Sequence, residues 1–179
     1  MSILVLSEGM TERGAIRSIA SKLRIRVRVN PMHGNRLEKL TGTIRAHATG
    51  YDKFIVLKDL HTYQEDTLRR RYNDVLRALD THFRERTKFL IVRHAIEAWF
   101  LADINALNRT YNCRIEGEIT NPEEIEDPAE ELTRLLERYG KKYIKSEKAG
   151  ARIMEEADLD KVSEKAPSFR TFLNYLMDP

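Results

Sequence analysis

At 179 residues, with 41% hydrophobic and 33% charged side chains, the chain is long enough for one well-buried domain, and its composition excludes a disordered or membrane-embedded class. Its 31 basic and 28 acidic residues leave a net charge of +3, which is compatible with a nucleic-acid partner without demanding one, because the placement of charge decides binding. The single Cys113 excludes an intramolecular disulfide and a multi-cysteine zinc site, and suits a reducing cytoplasm. No apolar stretch approaches the roughly 18 residues that span a bilayer. The opening "MSILVLSEG" is too short and too soon acidic for a signal peptide, and is expected to stay in the mature protein.

Through the first hundred residues apolar runs alternate with helical patterns, the signature of βαβ units and a mainly parallel sheet. "ILVLS" at 3–7 reads as a strand buried on both faces. Thr11 is placed to cap a helix whose stripe is Ile16, Ile19, Ala20 and Leu23. "RIRVRVN" at 24–30 alternates strictly, with Arg24, Arg26 and Arg28 on one face, as in a half-exposed edge strand. The segment 35–48 carries Leu37, Leu40 and Ile44 at helical spacing, with Gly42 weakening it. "KFIVLKDL" at 53–60 predicts a buried strand, 65–83 a helix through Leu68, Tyr72, Val75, Leu76 and Leu79, and "KFLIVRH" at 88–94 a further strand.

The helix starting near Ala95 is apolar almost all round, with Glu97 the one charge between 95 and 102, so burial is expected. From Glu116 to Glu131 there are eight acidic residues and no basic one, predicting a surface loop between Pro122 and Pro128, and Pro128 suits the first turn of a helix over 129–138. A basic stretch, "KKYIKSEKAGAR", follows at 141–152, and the tail carries helical stripes through Ile153, Met154 and Ala157, then Phe169, Phe172, Leu173 and Leu176.

In open α/β sheets, ligands gather beyond the carboxyl ends of the strands. Glu8 and Asp59 both stand at such ends, and Glu12 lies one turn after a glycine that permits a sharp exit from the first strand. Two carboxylates about 4 Å apart repel by roughly 4 kcal/mol at an effective dielectric near 20, so three assembled acids call for a cation, and oxygen ligands without cysteine favour Mg²⁺ or Mn²⁺. The competing reading has Glu12 complementing a helix dipole while Glu8 and Asp59 accept backbone hydrogen bonds. Glu97, in its apolar helix, needs either a metal or an ion pair, for which Arg93 and His94 are close in sequence. Asp103 ends the same helix on another face, as a surface or loop-contacting group. Of the triple Arg69, Arg70 and Arg71, only part can form one patch, since the three point in different directions on a helix.

"LSEGMTERGAI" followed by "KFIVLKDLH" resembles the Toprim domain, in the version found in overcoming-lysogenization-defect nucleases and in a family of small Toprim-like proteins. In that family one strand ends in EGxTE and a later one in DxD. Glu8, Gly9, Thr11 and Glu12 match the first pattern, Asp59 opens the second, and "HAIEAWFLAD", "KKYIK" and "PSFRTFLNYL" extend the similarity over most of the chain. His61 stands where the pattern has a second Asp; imidazole binds Mn²⁺, Fe²⁺ or Zn²⁺ but is a poor partner for Mg²⁺, and Glu65 or Asp66 offers a substitute.

The resemblance implies a three-layer α/β/α fold over 1–179 with a mainly parallel sheet of about four strands, 104–179 forming a mostly helical extension packed on it. It also implies metal-dependent phosphodiester chemistry on DNA or RNA, with Glu8, Glu12 and Asp59 toward the metal and a basic residue from the region after the fourth strand, one of Lys141, Lys142 and Lys145, near it. Lys145 is taken as the catalytic candidate, Lys141, Lys142 and Arg93 as binding candidates, and His61 and Glu97 as further candidates for the metal. Two other readings stand: a non-catalytic module binding nucleic acid, a partner protein or a second copy of itself, its metal site degenerate, and a Rossmann-like enzyme acting on a small phosphorylated ligand. The last ranks lowest, because Gly9 and Gly14 alone make no glycine-rich phosphate loop.

Overall fold

Sidedness of the buried strands sets the architecture. In the computed structural model, which describes residues 1–32, 37–47 and 49–178, four parallel strands run in the order β2-β1-β3-β4, with β1 at Ile3–Ser7, β2 at Val27–Pro31, β3 at Lys53–Asp59 and β4 at Thr87–Val92. Side chains alternate across a strand, so Ile3, Val5, Ile55 and Leu57 point to one face and Leu4, Leu6, Phe54 and Val56 to the other. The first face is covered by α1 (Met10–Leu23) and the helices that follow β4, and the second by a 3₁₀ turn at Leu37–Lys39, α2 (Leu40–Ala46) and α3 (Glu65–Arg77). This is an α/β fold with helices on both sides of an all-parallel sheet, as the sequence pattern predicts.

Several boundaries differ from expectation, each for a local reason. α1 is entered through Gly9 and not Thr11, and it ends at Arg24, whose left-handed backbone (φ 56°) closes the helix. Arg24 and Arg26 therefore precede β2, which is the sheet edge but carries only Arg28 of the three arginines. Of the segment 35–48, the described part is helical, and residues 35, 36 and 48 lie outside the described residues. The predicted helix 65–83 is two: α3 stops at Arg77, Leu79 turns into the core, and α4 spans Thr81–Glu85. Arg84 donates to the carbonyls of Leu76 and Leu79, and Arg45 to that of Ala78, so the end of α3 finds side-chain partners.

The apolar helix after β4 is also divided, into α5 (Glu97–Leu101) and α6 (Ile104–Tyr111). Asp103 lies between them and is a buried capping group, not a surface one. It accepts hydrogen bonds from the Asn105 and Asp158 amides, at 3.2 and 3.0 Å. α7 (Pro128–Glu137) begins at Pro128, and the acidic stretch before it contains a 3₁₀ turn at Pro122–Glu124. The chain ends in α8 (Glu147–Glu156), α9 (Leu159–Lys165) and α10 (Pro167–Met177), and Ile153, Val162, Phe169, Phe172 and Leu176 join Ile3 and Ile55 in one buried cluster.

Glu123, expected in a surface loop, is buried. Its carboxylate accepts hydrogen bonds from the Ser168 amide (3.0 Å) and hydroxyl, and Trp99 Nε1 donates to Ser168 Oγ at 2.8 Å. Ser168 thus satisfies two buried groups, and Ser168→Ala leaves the Trp99 indole N–H without its acceptor. The expected cost is about 1–3 kcal/mol, read as a lower midpoint in urea unfolding; an unchanged midpoint would show that water takes over the hydroxyl's role.

Candidate functional site

In the order β2-β1-β3-β4 the chain reverses direction across the sheet between β1 and β3, and such a switch point opens a crevice beyond the strands' carboxyl ends. β1 and β3 pair directly, Leu6 opposite Val56, so Glu8, just past the tip of β1, comes level with the end of β3. Ligand atoms of Glu8, Asp59 and His61 all lie within 4.8 Å of one another.

Gly9 serves this geometry through its size. Its backbone is extended (φ −142°), a conformation open to other residues, but a side chain would begin 3.1 Å from Glu12 Oε2. A sharp exit from β1 therefore does not require the glycine, which instead leaves room for the Glu12 carboxylate to lie back over the strand end.

Glu97, at the start of α5, is 1% exposed. Its Oε1 accepts from the Tyr143 hydroxyl at 2.9 Å and faces Lys145 Nζ at 3.1 Å, so the ion pair comes from the basic segment after α7 and not from Arg93 or His94. Among the described residues its Oε2 has no hydrogen-bond partner, and neither has Asp59 Oδ1. Glu65 and Asp66 are exposed in the first turn of α3, with Glu65 bound to Arg69, and stand outside the cluster. Arg93 lines a separate cavity of about 250 Å³ with Arg69 and Tyr175. Lys142 lies beside Lys148 and Arg152 in another, of about 260 Å³, and Lys141 is half-buried in the turn after α7.

Lys58 is the residue that sequence reasoning missed. It is 1% exposed and ion-paired with Glu8. The signal was present in "KFIVLKDL", since an ammonium group inside a buried strand requires a partner. Tyr143, buried between the lysines of "KKYIK", was missed as well.

Four carboxylates (Glu8, Glu12, Asp59, Glu97) and two ammonium groups (Lys58, Lys145) leave two negative charges uncompensated when all are ionised. Burial would raise the Glu8 pKa, but hydrogen bonds from His61 and Lys58 outweigh it and hold the group at about 2. Asp59 is pushed well above the ordinary range, first by burial and then by Glu12, Glu8 and Glu97. Burial and the charges of Glu97 and Glu8 raise Glu12 in the same way. Burial works against the charge on Lys145, but Glu97, and beyond it Asp59 and Glu12, keep its pKa above the ordinary value.

The signs give a test. Asp59 and Glu12 bind protons more readily in the folded than in the unfolded chain. Their stabilising contribution is therefore complete below their ordinary values of 3.8 and 4.5, and is lost as pH rises through the raised folded values. Glu8 runs the other way, contributing above 4.5 and losing that contribution as pH falls towards about 2. In chelator, the melting temperature should fall as pH rises above the ordinary values of these two carboxyls, and saturating Mn²⁺ should remove that fall. A flat profile in chelator would mean that the acids are not crowded as described.

A family model described as "Domain of unknown function (DUF4276)" matches residues 7–177. The chain belongs to this family. The DUF4276 match opens at Ser7, immediately before Glu8, and runs to Met177, so every residue of the acidic cluster lies within it. No curated protein and no solved structure matches the chain. Among the described residues of this DUF4276 chain, no helix is long and apolar enough to cross a membrane.

Proposed function

We propose that this chain carries out divalent-metal-dependent phosphodiester chemistry on nucleic acid, of the nuclease type. The observation that carries the reading is the pair of buried carboxylate oxygens without partners, Asp59 Oδ1 and Glu97 Oε2, in a cluster short of two positive charges at the sheet's switch point. The donor set fits a hard divalent cation, and His61 within ligand distance of Glu8 and Asp59 shifts the preference from Mg²⁺ towards Mn²⁺. The similarity to Toprim nucleases supports the same reading.

Glu8, Asp59 and His61 would hold the ion, with Glu12 and Glu97 behind them. When bound, the cation supplies Lewis acidity towards a phosphoryl oxygen. Lys145 contributes independently: Glu97 holds its ammonium charged, and its side chain is 57% exposed, open to an anionic oxygen of the substrate. Glu12, its pKa raised by burial and by Glu97 and Glu8 and paired with no cation among the described residues, is suited to accept a proton. Tyr143 fixes the Glu97 carboxylate and through it the position of Lys145.

The test is Mn²⁺-dependent cleavage of end-labelled DNA and RNA, run beside a Mn²⁺ thermal shift. A shift with cleavage supports the reading, and neither shift nor cleavage removes it. The ion pair between Lys58 and Glu8 favours a second reading, a module that binds nucleic acid or a partner protein and keeps a degenerate site neutralised by its own lysine. That reading requires the melting temperature to ignore Mn²⁺.

A further inference from the structure

A cavity of about 460 Å³ opens beside the acidic cluster, within the range of small-molecule sites. Its near wall holds His61, His94 and Lys145, and its far wall is the start of α7 with Glu126, Asp127 and Glu130. His61, Tyr143 and Lys145 line the cavity and also touch the cluster, His61 at 3.5 Å from Glu8 and Tyr143 and Lys145 at 2.9 and 3.1 Å from Glu97. A ligand filling the cavity therefore reaches the reacting region.

The two walls differ in charge. Asp127 is committed to capping α7, accepting from the Glu130 amide at 2.9 Å. The carboxylates of Glu126 and Glu130 have no side-chain partner among the described residues, and both residues are exposed. A phosphate is repelled by that wall and attracted to Lys145. Whatever enters beyond the phosphate must be uncharged or cationic and rich in hydrogen-bond donors.

His61 and His94 frame the opening. Both have left-handed backbones (φ 47° and 62°), and the His61 amide donates to the His94 carbonyl at 2.8 Å, which ties the loops after β3 and β4 together. Their imidazoles offer flat faces for stacking a planar ring.

We infer that this cavity is a nucleobase subsite: with the scissile phosphate at Lys145, it takes the attached base between the histidines and the Glu126 and Glu130 carboxylates, which accept hydrogen bonds from an exocyclic amino group. This rests on the proposed phosphodiester reading and deepens it. Carboxylates read the amino group of cytosine, whereas thymine presents carbonyl oxygens that they repel. A base can enter only when unpaired, so the substrate is a single strand or a strand end, and an uninterrupted duplex is excluded.

Isothermal titration calorimetry in Mn²⁺, with 2′-deoxycytidine 5′-monophosphate, thymidine 5′-monophosphate and 2-deoxyribose 5-phosphate as probes, tests this. The cytosine nucleotide is expected to bind about fivefold or more tightly than the thymine nucleotide. The Glu126→Ala/Glu130→Ala double variant, altered at exposed positions and checked for an unchanged melting temperature, should lose that preference while retaining its affinity for 2-deoxyribose 5-phosphate. Equal affinity for all three probes in the parent, or a preference that survives in the double variant, overturns the subsite. A cytosine preference lost in the double variant, in a protein that cleaves neither DNA nor RNA, supports the subsite and removes the nuclease reading alone.

Discussion

Asp59→Asn is expected to reduce metal-stimulated cleavage by more than about 100-fold, because removing even an outer-shell partner of a metal ligand costs about 10–100-fold. The same change should raise the melting temperature of the protein in chelator. Asp59 is 3% exposed, its Oδ1 has no partner, and Glu12, Glu8 and Glu97 press on it from nearby. An amide of the same shape removes the buried charge and relaxes that repulsion, at the cost of the oxygen donor. Opposite signs in one variant, more stable without metal and inactive with it, separate a functional acid from a structural one, for which the substitution would lower stability under both conditions. Differential scanning fluorimetry with and without Mn²⁺ gives the first sign, and the labelled-oligonucleotide assay the second. A variant that melts lower than the parent in chelator would contradict the crowding on which the site is built.

The second large effect lies away from the acids. α1 and α8 cross with almost no side chain between them, because Gly14 faces the Glu147 carbonyl and Gly150 faces that of Thr11. A methyl group on Gly14 would overlap Glu147 and lie 2.9 Å from the Ala151 amide nitrogen. Both obstacles are main chain, so neither can swing aside as a side-chain tip would. Gly14→Ala and Gly150→Ala are each expected to cost about 3 kcal/mol or more, the upper end of overpacking penalties. For a chain of this size that is a fall of about 6–12 °C in melting temperature, measurable by circular dichroism. Gly42, where an added methyl would meet nothing within 4 Å among the described residues, is the control, and Gly42→Ala should melt no lower than the parent. A Gly14→Ala protein that melts with its parent would mean that the two helices separate freely.

These cases mark what the amino-acid sequence could reveal. "ILVLS" and "KFIVLKDL" announced their strands because an apolar run of that length has few other uses, and Glu8 and Asp59 followed as their polar ends. Arg24, by contrast, fitted an alternating pattern and still closed a helix, since a left-handed cap leaves no mark in hydropathy. The break between α3 and α4 depends on arginines that reach the carbonyls from elsewhere in the chain, which local periodicity does not record. The partners of Glu97 lie 46 and 48 positions away, at Tyr143 and Lys145, and only the packing of α5 against α7 and the following segment brings them in. In the sequence Gly14 counted only as too little for a glycine-rich phosphate loop, whereas its role is set by Gly150, far along the chain.

Lys58 bears on how the protein comes into being. It belongs to the same strand as Asp59 and reaches Glu8 as soon as β1 and β3 pair, so the nascent sheet brings a resident counter-ion to the acids. If the proposed metal chemistry holds, the fold does not wait for the ion, and loading is a separate and later event. Purification in chelator should accordingly return a folded, dormant protein that wakes on the addition of manganese, not an aggregate.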